Sequence, residues 1–262
     1  MSSMLTPGFE LRIAKISDFP DRGVLPEDAD MHDYPKYEKG TSALGFIFSR
    51  EGGVLVAVDH PSLSSGDYYP NNVLSLNSHL LAAFSGGSED SRSYLLKQLP
   101  NQCHELELKE GRKASAAEAS KWLADFLSLH PDSDQGMSLG ILIAGWDDEL
   151  GPSLFKVDGN GKLAEGQLYG TGSASAAVAL VIEEIYGRSM TLVPARDLAK
   201  FALCIGTYSV PEFAEHISVF HVGSAGVKVV VSNESIQENQ KQHFGSKWRD
   251  PKSKKFHPHF MV

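Results

Sequence analysis

Cysteine is scarce in this chain: Cys103 and Cys204 are the only two among 262 residues, and they stand far apart. Two distant thiols build neither a disulfide framework nor a metal-ligand cluster, and they fit a reducing compartment. Positive charge is also in short supply, with 24 Lys and Arg against 33 Asp and Glu and a formal net charge of -9. No overall basic field exists to hold a nucleic acid, so no nucleic-acid partner is expected. Long apolar runs are missing as well: none reaches the roughly 18 residues of a membrane span, and Met1 to Phe9 has no basic region followed by an apolar stretch. The expectation is a soluble intracellular protein with no membrane partner. Short catalytic motifs are absent too, whether a Gly-x-Ser-x-Gly elbow, a phosphate-binding loop or a His-Glu-x-x-His pair. His257-Pro258-His259 lacks the further ligands and the rigid frame of a metal site, so no metal and no cofactor are expected. Asp147-Asp148-Glu149 reads as a solvated turn between strands rather than a catalytic carboxylate cluster.

What is present suffices for one full-sized core, since 42% of the residues are hydrophobic. Residues 1–40 differ from the rest in being rich in Pro, Asp and Glu with little apolar periodicity, which reads as a leader. Strand-like runs begin at Thr41: Ser42 to Phe48 and Val54 to Val58 form a hairpin around Ser49 to Gly53, and Val73 to Leu76 pairs with Leu80 to Phe84. Ser88-Glu89-Asp90 caps a helix through Leu95, Leu96 and Leu99, and the capping box Ser115 to Glu118 opens a second helix that Pro131 stops. Leu139 to Trp146, Pro152 to Val157 and Leu163 to Tyr169 read as a three-strand meander, with Asp158 to Gly161 as a turn. Ala176 to Tyr186 and Pro194 to Cys204 are amphipathic helical stretches, and His216 to Val222 with Val227 to Val231 closes the domain as a hairpin. Segregated runs of strands and helices favour an α+β layered fold with two facing sheets and helices outside. The expected organisation is a leader over 1–40, a sandwich domain over 41–235 and an extension with a basic tail over 236–262.

The junction Gly40-Thr41 carries the chemistry. A threonine hydroxyl is a poor nucleophile and needs a base; cleavage after Gly40 would free the amine of Thr41 itself, which titrates nearer neutrality than a lysine. A Gly-Thr pair alone is ordinary at the start of a strand.

Its context is not ordinary. Gly40 to Phe46, then Gly52 to Asp59, resembles the opening hairpin of proteasome beta subunits. Asn77 to Leu81, Ser85-Gly86-Gly87, Met137 to Gly140, Gly145-Trp146-Asp147, Gly151-Pro152, Val157-Asp158, Gly172-Ser173 and Phe220-His221-Val222 follow in an order similar to the type-5, chymotrypsin-like class. The resemblance covers about Gly40 to Val231. It implies a four-layer alpha-beta-beta-alpha sandwich of the N-terminal-nucleophile hydrolases, partners among the other alpha and beta subunits in stacked seven-membered rings, and a place in cytoplasm and nucleus. It also implies roles: Thr41 as nucleophile and base, Asp59 as the buried carboxylate, Ser173 as the hydroxyl near the amine, and Gly86 as the oxyanion donor.

Three positions depart from the pattern. Where the family has a lysine after the aspartate, the segment from His60 to Leu96 holds none and Asn72 stands instead; Val210 and Phe213 stand where the family has Asp and Ser. Losing positioned acid-base help costs on the order of 100-fold to 10,000-fold in rate. Without a lysine, Asp59 has to protonate or find another donor, in His60 or the backbone. Ser64 and Phe84 are the candidate pocket residues for an apolar substrate side chain, with Phe84 equally readable as core. The expected function is therefore a type-5-like beta subunit of the 20S core with its own threonine site impaired. An active threonine endopeptidase of chymotrypsin-like specificity acting on unfolded polypeptides, or an unrelated N-terminal-nucleophile amidohydrolase, are the alternatives.

Overall fold

The computed structural model describes residues 41–49, 51–61, 63, 69–87, 89–130, 139–172, 175, 190–209 and 215–244. The leader with Gly40, the helical stretch expected over Ala176 to Tyr186, the basic tail, and Ser64, Ser173, Val210 and Phe213 lie outside the described residues.

Among the described residues, ten strands make two antiparallel sheets. The first contains β1 (Ala43–Ser49), β2 (Gly53–His60), β8 (Leu168–Thr171), β9 (His216–Gly223) and β10 (Gly226–Ser235), in the order β10-β9-β2-β1-β8. The second contains β3 (Val73–Asn77), β4 (Leu80–Ser85), β5 (Gly140–Asp147), β6 (Gly151–Asp158) and β7 (Leu163–Glu165), in that order. Four helices are described: α1 (Glu89–Glu110), α2 (Ala116–Leu129), α3 (Leu192–Ser209) and α4 (Ile236–Phe244).

The layering follows from strand alternation. Every residue of β2 is buried, because both of its faces are covered. Leu55 and Ala57 pack with Leu198, Ala202 and Leu203 of α3, whereas Val54, Val56 and Val58 pack with Leu81, Ala83, Leu142 and Leu154 of the opposite sheet. In β4 the same period of two sends Leu80, Ala82 and Phe84 toward Leu95, Leu99 and Leu123 of α1 and α2, while Leu81 and Ala83 face the first sheet. Two helix-sheet cores and one sheet-sheet core are thus stacked as a four-layer α+β sandwich, the architecture expected from the sequence.

Several expected elements change their bounds. The first helix continues past Leu99 through Pro100 to Glu110, with Leu95, Leu99 and Cys103 buried. The strand expected over Leu163 to Tyr169 is in fact two strands in different sheets. The Gly166 N–H still bonds Leu154 of β6, while the next residue, Gln167, already accepts from Ile47 of β1, so the chain crosses between sheets at that pair. Helix α4 falls at the start of the expected extension, where the Gln-rich sequence shows no apolar stripe. Ile236 enters the core, and the Gln240 amide anchors the helix by donating to the Cys204 carbonyl of α3. The second helix matches its signal closely: Ser115 and Glu118 form the reciprocal capping box, and Ala119, Leu123 and Leu127 supply the buried stripe.

Candidate active site

The pairing of β1 with β2 brings Thr41 and Asp59 together. Ala43 is the last registered partner of Val58, so the preceding Ser42 falls opposite Asp59. Ser42 donates its N–H to the Asp59 carboxylate, and the Asp59 N–H donates back to the Ser42 carbonyl at 3.1 Å. Thr41 is the next residue out, 8% exposed. This pair of bonds, one to the carboxylate and one between main chains, places the candidate nucleophile one residue from the carboxylate.

Asn72 joins the group from the other sheet. It lies in the turn before β3, is 1% exposed, and donates through Nδ2 to the main-chain carbonyl of Asp59 at 3.3 Å. Its own carbonyl accepts the Phe84 N–H of β4 at 2.8 Å. Asn72, the residue that the resemblance sets in place of the family's lysine, therefore contacts the main chain of Asp59 and presents an uncharged amide.

The glycine turn approaches through β4 and β8. Ser85 ends β4, Gly86 and Gly87 follow with φ of +62° and +75°, and neither angle suits a residue with a Cβ. Ser85 and Thr171 are both buried; the Ser85 hydroxyl donates to the Gly140 carbonyl at 3.1 Å and shares a short hydrogen bond with the Thr171 hydroxyl. These hydroxyls clasp the end of β4 and β5 in one sheet to the end of β8 in the other. Gly172, at φ +87°, closes the corner: a Cβ there would lie 2.3 Å from the Thr41 carbonyl and 3.1 Å from the Ser85 Cβ. Gly86 is thereby held beside the start of β1, within one residue of this junction. Ser42, Ser85 and Thr171 were not singled out from the sequence; their only signal is a small hydroxyl residue next to a glycine or to Thr41.

Charge at the site is unbalanced. The Asp59 carboxyl is 1% exposed, and among the described residues no Lys, Arg or His side chain pairs with it. Burial pushes its pKa up to about 7, against the opposing pull of the Ser42 N–H and hydroxyl. His60, the other donor considered for Asp59, turns elsewhere: its Nδ1 meets the Pro61 carbonyl, its Nε2 meets the Ser218 hydroxyl at 2.8 Å, and burial lowers its pKa. Ser42, through its N–H and its hydroxyl, and not His60, is the partner of the Asp59 carboxyl. Among the described residues, the Oγ1 of Thr41 and the Oδ1 of Asn72 are buried and unpartnered.

Of the two candidate pocket residues, Phe84 is fully buried in the helix-side core with Leu95 and Leu99, which is its core reading. Among the described residues no three His, Cys, Asp or Glu side chains converge as a metal site, and no helix is long and apolar enough to cross a membrane. Cys103 and Cys204 are buried thiols with pKa values pushed up to about 11 and about 12, which leaves them poor nucleophiles. The Asp147 carboxylate caps its own turn by accepting from the Glu149 and Leu150 N–H groups, in keeping with a structural loop.

Comparison with known proteins bears on the whole sandwich. A family model described as Proteasome subunit matches residues 37–221. Proteasome subunit beta type-5 of Spinacia oleracea is 34% identical over 234 residues, covering 88% of this chain and 81% of the relative. Proteasome subunit beta type-5-A of Arabidopsis thaliana is 34% identical over 198 residues, 74% of this chain and 70% of its own length. Proteasome subunit beta type-8 of Homo sapiens is 31% identical over 195 residues, 72% and 68% of the two chains.

Proposed function

The chain belongs to the proteasome subunit family, and on that premise we propose that it is a type-5-like beta subunit of the 20S core whose own threonine site is impaired. The observation that carries the second half is the buried Asp59 carboxyl with no basic side chain beside it among the described residues, next to a Thr41 hydroxyl that finds no partner among them. Removing the hydroxyl proton of Thr41 needs a base and a field that stabilises the resulting alkoxide. An amide at position 72 supplies no field, and its donor is already used on the Asp59 carbonyl. Val210 and Phe213, where the family pattern has Asp and Ser, withdraw two further polar groups.

In this role the subunit takes its place in a seven-membered ring with other beta subunits, against rings of alpha subunits, in cytoplasm and nucleus. It contributes walls and contacts to a complex that degrades ubiquitin-marked proteins, while neighbouring subunits cut the chain. Residues 1–40 act as its propeptide, 41–235 as the subunit domain and 236–262 as an extension.

A working chymotrypsin-like threonine endopeptidase is the second reading, favoured by the survival of Thr41, Asp59 and the left-handed Gly86. In that reading Ser173 assists the amine of Thr41 and Ser64 lines the pocket. An unrelated amidohydrolase finds no support in the span of the family match. Intact-mass measurement of the chain taken from assembled particles separates the first two. Part of Met1 to Gly40 still attached to Thr41 is the expected result; a uniform mass beginning at Thr41 favours the working protease.

A further inference from the structure

Two buried oxygens at the site have no partner among the described residues, Oγ1 of Thr41 and Oδ1 of Asn72, and both belong to residues bound directly or through one neighbour to Asp59. Buried oxygens are rarely left without a donor, because removing them from water costs roughly 1–3 kcal/mol each. Three different strand ends bring them there: Thr41 leads into β1, Asp59 stands near the end of β2, and Asn72 precedes β3. The Asn72 amide is fixed by donating to the Asp59 carbonyl, which orients its oxygen as the free end of the group. The Ser42 N–H and hydroxyl both donate to the carboxylate, and neither brings a positive charge to it.

We propose that a monovalent cation of the potassium or sodium type binds at the carboxylate of Asp59, the Oδ1 of Asn72 and the Oγ1 of Thr41. The donor set is all oxygen, which suits a hard cation, and it carries one formal negative charge, which balances one positive charge and not two. His60 does not compete for this role, since its ring is engaged by Ser218 and Pro61, and no basic side chain among the described residues reaches the carboxylate. The cation supplies the charge that a lysine would bring on a side chain, but it is exchangeable and bears no proton for transfer. The proposal rests on the reading of position 72 as the place of a lost cation. The ion brings a charge to the carboxylate but neither accepts nor delivers a proton, and Val210 and Phe213 add no polar group, so proton transfer at Thr41 stays unassisted.

The test is thermal melting of the full-length chain at pH 8 and fixed ionic strength, with choline chloride replaced stepwise by potassium chloride or sodium chloride. Choline is too large for a buried site and has no N–H to donate. A saturable rise in Tm of about 2–4 °C is expected at tenfold excess over the dissociation constant. The rise disappears at pH 5, where the carboxyl is protonated, and in Asp59→Asn, where no charge remains. In Asn72→Lys the ammonium replaces the ion, and the potassium response disappears as well. Should that variant not fold, thallium(I) in crystals of the unaltered protein provides the second readout, with an anomalous peak expected between Asp59 and Asn72. Equal melting in choline, sodium and potassium, or a potassium response that survives in Asp59→Asn, overturns the proposal. A mature, reactive Thr41 would instead overturn the impaired-site reading and leave the melting result standing, so the two failures are distinguishable.

Discussion

Asp59 sits in the least forgiving place in the domain for a carboxyl group, sealed from water between a hairpin and a turn with hydrogen bonds from Ser42 as its support. Its folded pKa of about 7 lies above the ordinary 3.8, so the folded state holds this proton more tightly than the unfolded chain does. Stability from this group is therefore full below about pH 4, falls as the pH rises through the interval, and levels off above about 7, a loss of at most about 4 kcal/mol. In choline salts, urea denaturation should show stability falling from pH 5 to pH 8, and Asp59→Asn should flatten that slope and be the more stable protein at pH 8. A slope that persists in the variant assigns the titration to another group. The residues of this site were largely legible in sequence. The roles of Thr41 and Asp59 follow from the resemblance of the glycine-bounded hairpin to that of the family, and that of Asn72 from the absence of a lysine between His60 and Leu96. The unpartnered oxygens and the turning away of His60 were not legible, because they depend on which way side chains point.

Among the elements, the junction of β4, β5 and β8 has the most consequence for the site. Ser85 is a polar residue at the end of an otherwise apolar strand, and its hydroxyl joins Thr171 of the other sheet to Gly140 of its own. Ser85→Ala removes both contacts and leaves the Thr171 hydroxyl buried with its partner gone, a loss of about 1–3 kcal/mol. Faster amide hydrogen exchange should appear at Gly86, Gly87 and Ser42, and Ser85→Thr should restore it if the added methyl is accommodated. Unchanged exchange in Ser85→Ala would mean that the turn is held by its glycines alone. Elements built on periodicity, such as β2 and α2, were legible; the division of β7 from β8 was not, since Gly166-Gln167 resembles a kink within one strand and only the opposing partners reveal a change of sheet. Helix α4 escaped for a related reason: its anchoring contact is an amide to a carbonyl and leaves no apolar signature.

For the whole molecule, three stacked cores arise from one rule, that strands buried on both faces divide their side chains between a helix layer and a facing sheet. The segregated order of strands and helices carried that architecture in the sequence. This construction depends on no catalytic group, so a subunit can keep its shape and its contacts after losing its chemistry. Thr41→Ala, introduced in the organism's own particle, should leave both the incorporation of the chain and the peptidase rates of the particle unchanged, read by co-purification and hydrolysis of chymotrypsin-like peptide substrates. A fall in the chymotrypsin-like rate with normal incorporation would return Thr41 to service.

Labelling assembled particles with an electrophile that captures an N-terminal threonine through both its hydroxyl and its amine tests the central claim most directly. No adduct on this subunit, with neighbouring catalytic subunits labelled in the same sample, is the result predicted from an uncharged Asn72 beside Asp59. One adduct per chain at Thr41 would contradict it.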